Sequence, residues 1–456
     1  TRLGGLMRDS TVDIASTLAG EVKPLLPTSK DSNDDSAGWS ARRIAVIVVT
    51  TGTYVIGIMP VHLSIPLVPI LEDDSGLLWS KSNTHILLLV VPFMEGIGLI
   101  ALGPLADVCG GACAMSWYLG TAAVALVIVA LASEPRFIIA AFMVGMLVRG
   151  IAWPAVTKIL SENLAASQWE VGLCTIGIGS RTGAWMTSEF TGVVTKAVGW
   201  RDAVCFVAMA LCLSAGMMQA VRACTEHRSE GVAVSSAVSF GSLLAGHLST
   251  TFRGLVEFFG CSDSLLILCF TICQQPLWVF GNFLGVFAHD IYGMSPADSA
   301  RASGAFPAGQ VAGLACALLA VLSGGPKRRR SVYQAMSWLA VVAALIPIYL
   351  MMSLGSLGHR EFVLLAGLQG FCSVMLDYIP PSIWCMYLGR DSGKGALYMS
   401  VLYFIADLAL TVWSFCVGVV RNHSEHAAFQ VVMGMASFCA LASTFLLLVH
   451  IARNDR

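Results

Sequence analysis

Apolar runs of about 18 to 25 residues recur along nearly the whole chain, each long enough to cross roughly 30 Å of hydrocarbon as a helix. Nothing else constrains the fold as much. In lipid every backbone N–H and C=O must find its partner inside the protein, so such runs become helices. Of 456 residues, 56% are hydrophobic and 12% charged, where a soluble domain carries about 25% charge. The expected fold class is an all-α polytopic membrane protein. A formal net charge of −1 offers no basic face to nucleic acid. The 14 cysteines fall mostly inside apolar runs without CxxC spacing, as small packing residues do.

Breaks at charges, Pro and Gly divide the chain into twelve expected transmembrane helices. They cover roughly 44–70, 83–105, 115–132, 136–160, 168–194 and 202–222, then 264–290, 301–323, 332–354, 361–388, 395–420 and 427–451. A polar linker, 223–263, separates two sets of six, which predicts six-helix bundles at 44–222 and 264–452. Residues 1–43 contain "TSKDSNDDSAGWS" and read as a disordered tail. Lys and Arg concentrate in alternate loops, among them Arg42, Arg43, Arg222, Arg228, the run Lys327–Arg330, Arg390 and Lys394. The positive-inside tendency makes that side cytosolic, with both termini and the linker.

The two sets carry a short internal match. "LADVCGG" (105–111) closes the second span and "LAVLSGG" (319–325) closes the eighth, with four of seven positions identical. That is where a duplication of six helices would place it, and parallel repeats of this kind suit a two-bundle transporter.

Gly103, Leu105, Ala106, Asp107 and Gly110 sit between spans two and three. They resemble the G-x-L-a-D-x-x-G signature of the major facilitator superfamily in the same loop. The resemblance implies a conformational latch made by Gly103, Asp107 and Gly110. Asp107 would face the start of span eleven near Gly393–Ala396, where a helix N-terminus is electropositive. The basic residues that usually follow the glycines are replaced by "GACAM". A second stretch, "RGIAWPAVTKILSENLAASQWEVG" with "GWRDAV" after it, resembles the organophosphate–phosphate antiporter branch through Trp153, Pro154, Lys158, Leu160, Gly199, Trp200 and Arg201. The arginines that this branch carries in spans one and seven have no counterpart here. Span one offers Thr50, Thr51, Thr53, Tyr54 and His62. Span seven offers Gln274, Gln275, Trp278 and Asn282.

Ionisable side chains deep in a span are costly and concentrate at functional sites. Six are expected there: Glu95, Arg149, Arg181, Glu189, Asp377 and Asp407. Arg149 and Arg181 lie about 20 Å into spans four and five at 1.5 Å per residue. Each is followed at i+4 by a tryptophan, Trp153 and Trp185, so each helix face pairs a guanidinium with an indole. With Gln274, Trp278 and Asn282 these form the expected substrate-binding set. Three readings stand. The arginines neutralise carboxylates of their own half, Glu95 being better placed than Glu189 to meet Arg181, or their planar forks hold an anionic substrate group, or they do both in alternation.

Asp377 and Asp407 have no basic residue inside the spans of their half. A carboxyl group in hydrocarbon is costly as the anion and stable as the acid, so carrying a proton is one role. Binding a substrate amine and joining helices by hydrogen bonds are the others. Asp377 precedes "YIPPSIW", where Pro380 and Pro381 are expected to break or kink span ten. His62 and His289 read as interfacial histidines near the outer ends.

The linker run "FGSLLAGHLSTTFRGLVEFF" repeats apolar residues every three to four positions, as an interfacial helix does. In the tail, Glu21 followed by Leu25 and Leu26 resembles the acidic dileucine signal read by clathrin adaptors. It points to an endolysosomal or plasma membrane. No hydrolase or nucleotide motif and no metal-ligand spacing occurs, so no enzymatic activity, cofactor or metal is expected. The expected partners are the bilayer and a small-molecule substrate, with the chain a monomer or loose oligomer. The expected function is alternating-access transport of a small organic anion or zwitterion, coupled to protons. The alternative is a transport-derived subunit, receptor or scaffold. A transporter needs a polar cavity lined by Arg149 or Arg181, whereas in a scaffold the centre is filled or bridged shut.

Overall fold

The computed structural model describes residues 39–103, 105–165, 168–226, 256, 258–260, 262–322, 326–354, 356–390 and 395–454. The regular elements among them are α-helices. Before the linker these are α1 (Ala41–Asp73), α2 (Lys81–Ala101), α3 (Leu105–Cys109), α4 (Gly111–Leu131), α5 (Pro135–Arg149), α6 (Ala152–Asn163), α7 (Trp169–Val198) and α8 (Trp200–Glu226). After it come α9 (Ser262–Asp290), α10 (Pro296–Ser303), α11 (Ala305–Leu322), α12 (Pro326–Met352), α13 (His359–Arg390), α14 (Gly395–His423) and α15 (Glu425–Asn454).

Local sequence sets several starts. Ser40 and Ser80 cap α1 and α2 by accepting from the Arg43 and Asn83 amides at 3.3 and 3.2 Å. Ser295 caps α10, with Pro296 as the first helical residue, where a missing N–H costs nothing. Gly110 holds φ at +83° between α3 and α4, a left-handed turn that glycine adopts without strain.

Nine helical stretches among the described residues are long and apolar enough to cross a membrane: α1, α2, α4, α5 with α6, α8, α9, α10 with α11, α14 and α15. Their outward faces are apolar. Trp117, Val124 and Leu131 on α4, Leu213 on α8, Trp338 on α12 and Phe438 on α15 are all exposed. A surface of this kind is stable against lipid and not against water. The chain is an all-α, integral, multi-pass membrane protein.

Packing follows a pattern on both sides of the linker. The pairs α4–α8 and α12–α15 are extensive, as are α2–α5 and α11–α13; α1 packs chiefly on α7, whereas α9 packs more on α15 than on α14. The sets are joined chiefly by α2 against α14, by α7 against α11 and α10, and by α1 against α10. Close crossings are made by glycine. A methyl group on Gly98 would collide with the Leu147 carbonyl, and one on Gly150 with the backbone of Gly98. In the second set a methyl on Gly370 would collide with the Phe306 carbonyl. Small residues let helix backbones touch without side chains between them.

Helix α13 runs unbroken from His359 to Arg390, so Pro380 and Pro381 do not break it. Prolines are tolerated inside membrane helices where local adjustments and neighbours satisfy the freed carbonyls. The tail signal at Glu21, Leu25 and Leu26, nearly all of the linker helix, and the side chains of Asp107 and Asp377 lie outside the described residues.

Candidate functional site

Between the two helix sets lies a cavity of about 160 Å³, measured as space for the centres of water-sized spheres. Its walls come from α1, α2, α5, α6 and α7 on one side and from α9 and α14 on the other. Among the residues expected from sequence, Glu95, Arg149, Trp153, Arg181, Trp278, Asn282 and Asp407 all line it.

Arg149 is the last residue of α5 and is buried. Its Nη1 lies 3.1 Å from Glu95 Oε1 on α2, and its Nη2 donates to Tyr54 Oη on α1 at 3.2 Å. The guanidinium also lies within 6 Å of two aromatic rings, 5.7 Å from the Tyr54 centroid and 5.9 Å from that of Tyr118. Three helices are thereby tied to one cation in a low-dielectric place, where such contacts act strongly. An aromatic row continues from Tyr54 to Trp153 (5.7 Å) and on to Tyr403 of α14 (6.0 Å).

The other arginine is held differently. Arg181 of α7 sits over the Trp278 ring of α9, with Cζ 4.0 Å from the ring centroid. This is a cation–π contact between the two sets. Asn282 and Gln275 of α9 and Ser180 of α7 line the same cavity. Asp407 lies opposite, on α14, and the charges that act on it are those of Glu95 and Arg149. The basic charge that acts on it thus comes from the far side of the linker, which a search confined to its own half misses.

Four expectations are corrected. Trp185 is exposed and does not line the cavity. An i+4 step turns a helix face by about 40°, enough to carry the indole to the Gly304 turn between α10 and α11. Gln274 is buried, but Gln275 lines the cavity instead, since adjacent residues point about 100° apart. Glu189 does not line the cavity. It pairs with Arg301 of α10 at 2.9 Å, both side chains partly exposed. His62 lines the cavity and is not interfacial. Helix α1 continues to Asp73, which leaves roughly 16 Å of helix beyond His62 at 1.5 Å per residue. Its place among the prolines Pro60, Pro66 and Pro69 gave no sign of this.

Beyond the cavity, the end of the bundle formed by the turns 74–80, 199, 291–295 and 424 is fastened across the two sets. Arg421 of α14 pairs with Glu72 of α1 at 3.2 Å. Lys81 of α2 pairs with Glu425 of α15. Lys196 of α7 pairs with Asp298 of α10 at 2.9 Å, beside Glu189–Arg301. At the opposite end Gly103 packs against α14, where an added methyl would lie 3.1 Å from Ser400 Oγ. The glycine loop therefore abuts α14, although the Asp107 carboxylate itself is not described. No group of three or more His, Cys, Asp or Glu suited to a metal occurs among the described residues.

No protein-family model matches the chain, and no curated protein matches it.

Proposed function

We propose that the chain is a secondary active transporter of the major-facilitator type. It moves a small organic anion or zwitterion through the central cavity by alternating access, with proton coupling. In this reading α7, α12 and α13, which are 30, 27 and 32 residues long, also cross the membrane and complete twelve spans in two bundles of six. The repeated packing pairs and the two glycine crossings support a duplicated bundle. The loop charges put the four inter-set ion pairs on the outer face, so the resting arrangement is closed toward the outside.

One observation carries the proposal: a largely apolar cavity whose wall includes two arginines and two carboxylates, contributed by both helix sets. Buried charge in lipid is expensive, and a scaffold has no use for an open charged centre. Asp407 faces Arg149 and Glu95 across the seam, so a proton there changes the attraction between the sets. That is the property a coupling site needs.

The test is reconstitution into liposomes and an uptake screen over labelled organic phosphates, carboxylates and amino acids, with and without an inward pH gradient. Uptake of one class, stimulated by the gradient and lost in Arg149→Gln, supports the reading. Absence of uptake and of exchange for every class, by protein that stays folded, contradicts it and favours the scaffold.

A further inference from the structure

We propose that His85 is a proton sensor for the fastened end of the bundle: a proton on its ring releases α2 from α14 and opens the cavity at that end. The proposal rests on the transporter reading above, which supplies two facing states, and names what regulates one of them.

The position of the ring comes first. His85 lies one turn along α2 from Lys81, in the seam that joins the two sets. It packs on α14 at Gly418, where an added methyl would lie 3.1 Å from the ring's Cδ2. One turn further along α14 is Arg421, which holds Glu72 and Asp290. The Nε2 atom of His85 is buried, and no group among the described residues bonds to it. A proton there would leave a buried donor unsatisfied, which destabilises. The fastened arrangement therefore suits a bare nitrogen and a neutral ring.

The charges around the ring are already engaged with one another. Those that act on it are Arg421 of α14, Glu72 of α1 and Lys81 of α2 itself. Glu72 Oε1 accepts from Thr84 Oγ1 at 2.6 Å and from Arg421 Nη1 at 3.2 Å, and its Oε2 accepts from Arg421 Nη2 at 3.2 Å. Asp290 of α9 accepts from Arg421 Nε at 2.8 Å, and Glu425 of α15 takes Lys81. Asp73 and His289 line the basin beside these pairs, and Asp73 is exposed. Helix α2 also packs on α5. The charged residues of that helix are Arg136, which pairs with Glu134 at 2.6 Å, and Arg149, which lies with Glu95 and Asp407 around the cavity. A proton on His85 thus adds a cation beside Arg421 and Lys81. The charged ring either stays unpaired or draws Glu72 away from Arg421, and both weaken the tie between the sets.

Histidine suits this task because its charge changes between about pH 5 and 8. Once α2 and α14 part, water can solvate the charged ring. A ligand shifts an equilibrium by its difference in affinity for the two states. A ring that binds its proton about tenfold more tightly in the open form therefore raises the open-to-closed ratio by up to about that factor.

The test is double electron–electron resonance on the protein in lipid nanodiscs at about pH 7.5 and about pH 5.5, which bracket the histidine range. Spin labels at Ser75→Cys and His423→Cys, both exposed positions, read the distance across this end, with the other exposed cysteines replaced. Acid is expected to raise the ratio of long to short distances about three- to tenfold in wild type and to leave it unchanged in His85→Gln. His85→Phe keeps a ring against Gly418 without a proton site and should be equally insensitive. His289→Gln should respond as wild type does. Each comparison is between two pH values of one variant, so different folded fractions do not enter. A response of full size in both His85 variants would assign the sensing to carboxylates such as Glu72 or Asp290 and overturn the proposal. So would a wild type that ignores pH while Arg421→Gln lengthens the distance. The transporter reading survives either result. An end that opens neither with acid nor with loss of Arg421, in a protein that takes up no solute class, brings both down together.

Discussion

Arg421 on α14 and Glu72 on α1 meet as a two-pronged ion pair, with Nη1 3.2 Å from Oε1 and Nη2 3.2 Å from Oε2. The arginine side chain is 1% exposed, and its Nε donates to Asp290 at 2.8 Å. One cation thus binds two carboxylates from opposite helix sets. Removing it leaves both carboxylates uncompensated, which for a buried pair costs about 3–5 kcal/mol. Arg421→Gln is expected to lower the unfolding temperature of the purified protein markedly. Lys81→Gln removes a partly exposed pair and should cost only about 0–1 kcal/mol. Equal shifts in thermal melts of the two variants would contradict this ranking.

The Glu95–Arg149 pair gives a second prediction. Arg149→Gln alone leaves Glu95 buried without its cation, and Glu95→Gln alone leaves the guanidinium short of an anion. The double variant removes both problems together. Its destabilisation should fall short of the sum of the single variants by about 1–3 kcal/mol, as for contacting partners. Strict additivity in a thermal or denaturant series would mean that the two do not act as a pair.

Much of this site was legible in the sequence, because charge in an apolar run has few innocent explanations. Glu95, Arg149, Arg181 and Asp407 stood out for that reason, but spacing favoured Glu95 as the partner of Arg181, whereas the structure pairs it with Arg149. Rotation and depth were harder to read. Gln274 and Gln275 are indistinguishable until the helix phase is known. Glu189 was counted with the deep charges although its partner, Arg301, comes from the short helix α10, a contact across the two sets that spacing does not show. The Asp407 partners lie across a seam that no sequence spacing measures. Tyr54 was one of several polar residues that the first span offered, and nothing in the sequence singled out Tyr403. The spans themselves were plain from hydropathy wherever the helices are uniformly apolar. Helix α7 was expected as a span but carries Arg181, Glu189 and Lys196, and falls outside the nine.

Helix crossing at Gly98 supports a third prediction. Gly98→Val would drive a branched side chain into the Leu147 carbonyl, and α2 would separate from α5. Loss of folded, monodisperse protein is expected. Gly120→Ala on α4 meets nothing within 4 Å and should be neutral or stabilise by up to about 1 kcal/mol, the helix preference of alanine over glycine. Size-exclusion profiles of the two variants decide the matter, and a well-folded Gly98→Val protein would refute the crossing.

Gly103 packing near Ser400 places the glycine loop against α14, the helix that the signature's resemblance implies as the partner of Asp107. Asp107→Asn should leave the fold intact and weaken the latch by about 0.3–1 kcal/mol. That corresponds to a shift of about two- to fivefold between facing states. Labelling of cysteines introduced on each face reads the shift, and identical labelling of wild type and variant would dismiss the latch.

Alternating access requires the fastened end to open. Ser75 and His423 are exposed in this structure and flank the Glu72–Arg421 pair on the two helix sets. Spin labels at Ser75→Cys and His423→Cys, with the exposed cysteines Cys109, Cys212, Cys269, Cys316 and Cys416 replaced, report the distance across that end by double electron–electron resonance. A second, longer distance is expected, rising in Arg421→Gln and changing in population with pH and with a bound solute. A single distance, unaltered by pH, by solute and by loss of Arg421, would show two sets locked together and contradict transport through the cavity.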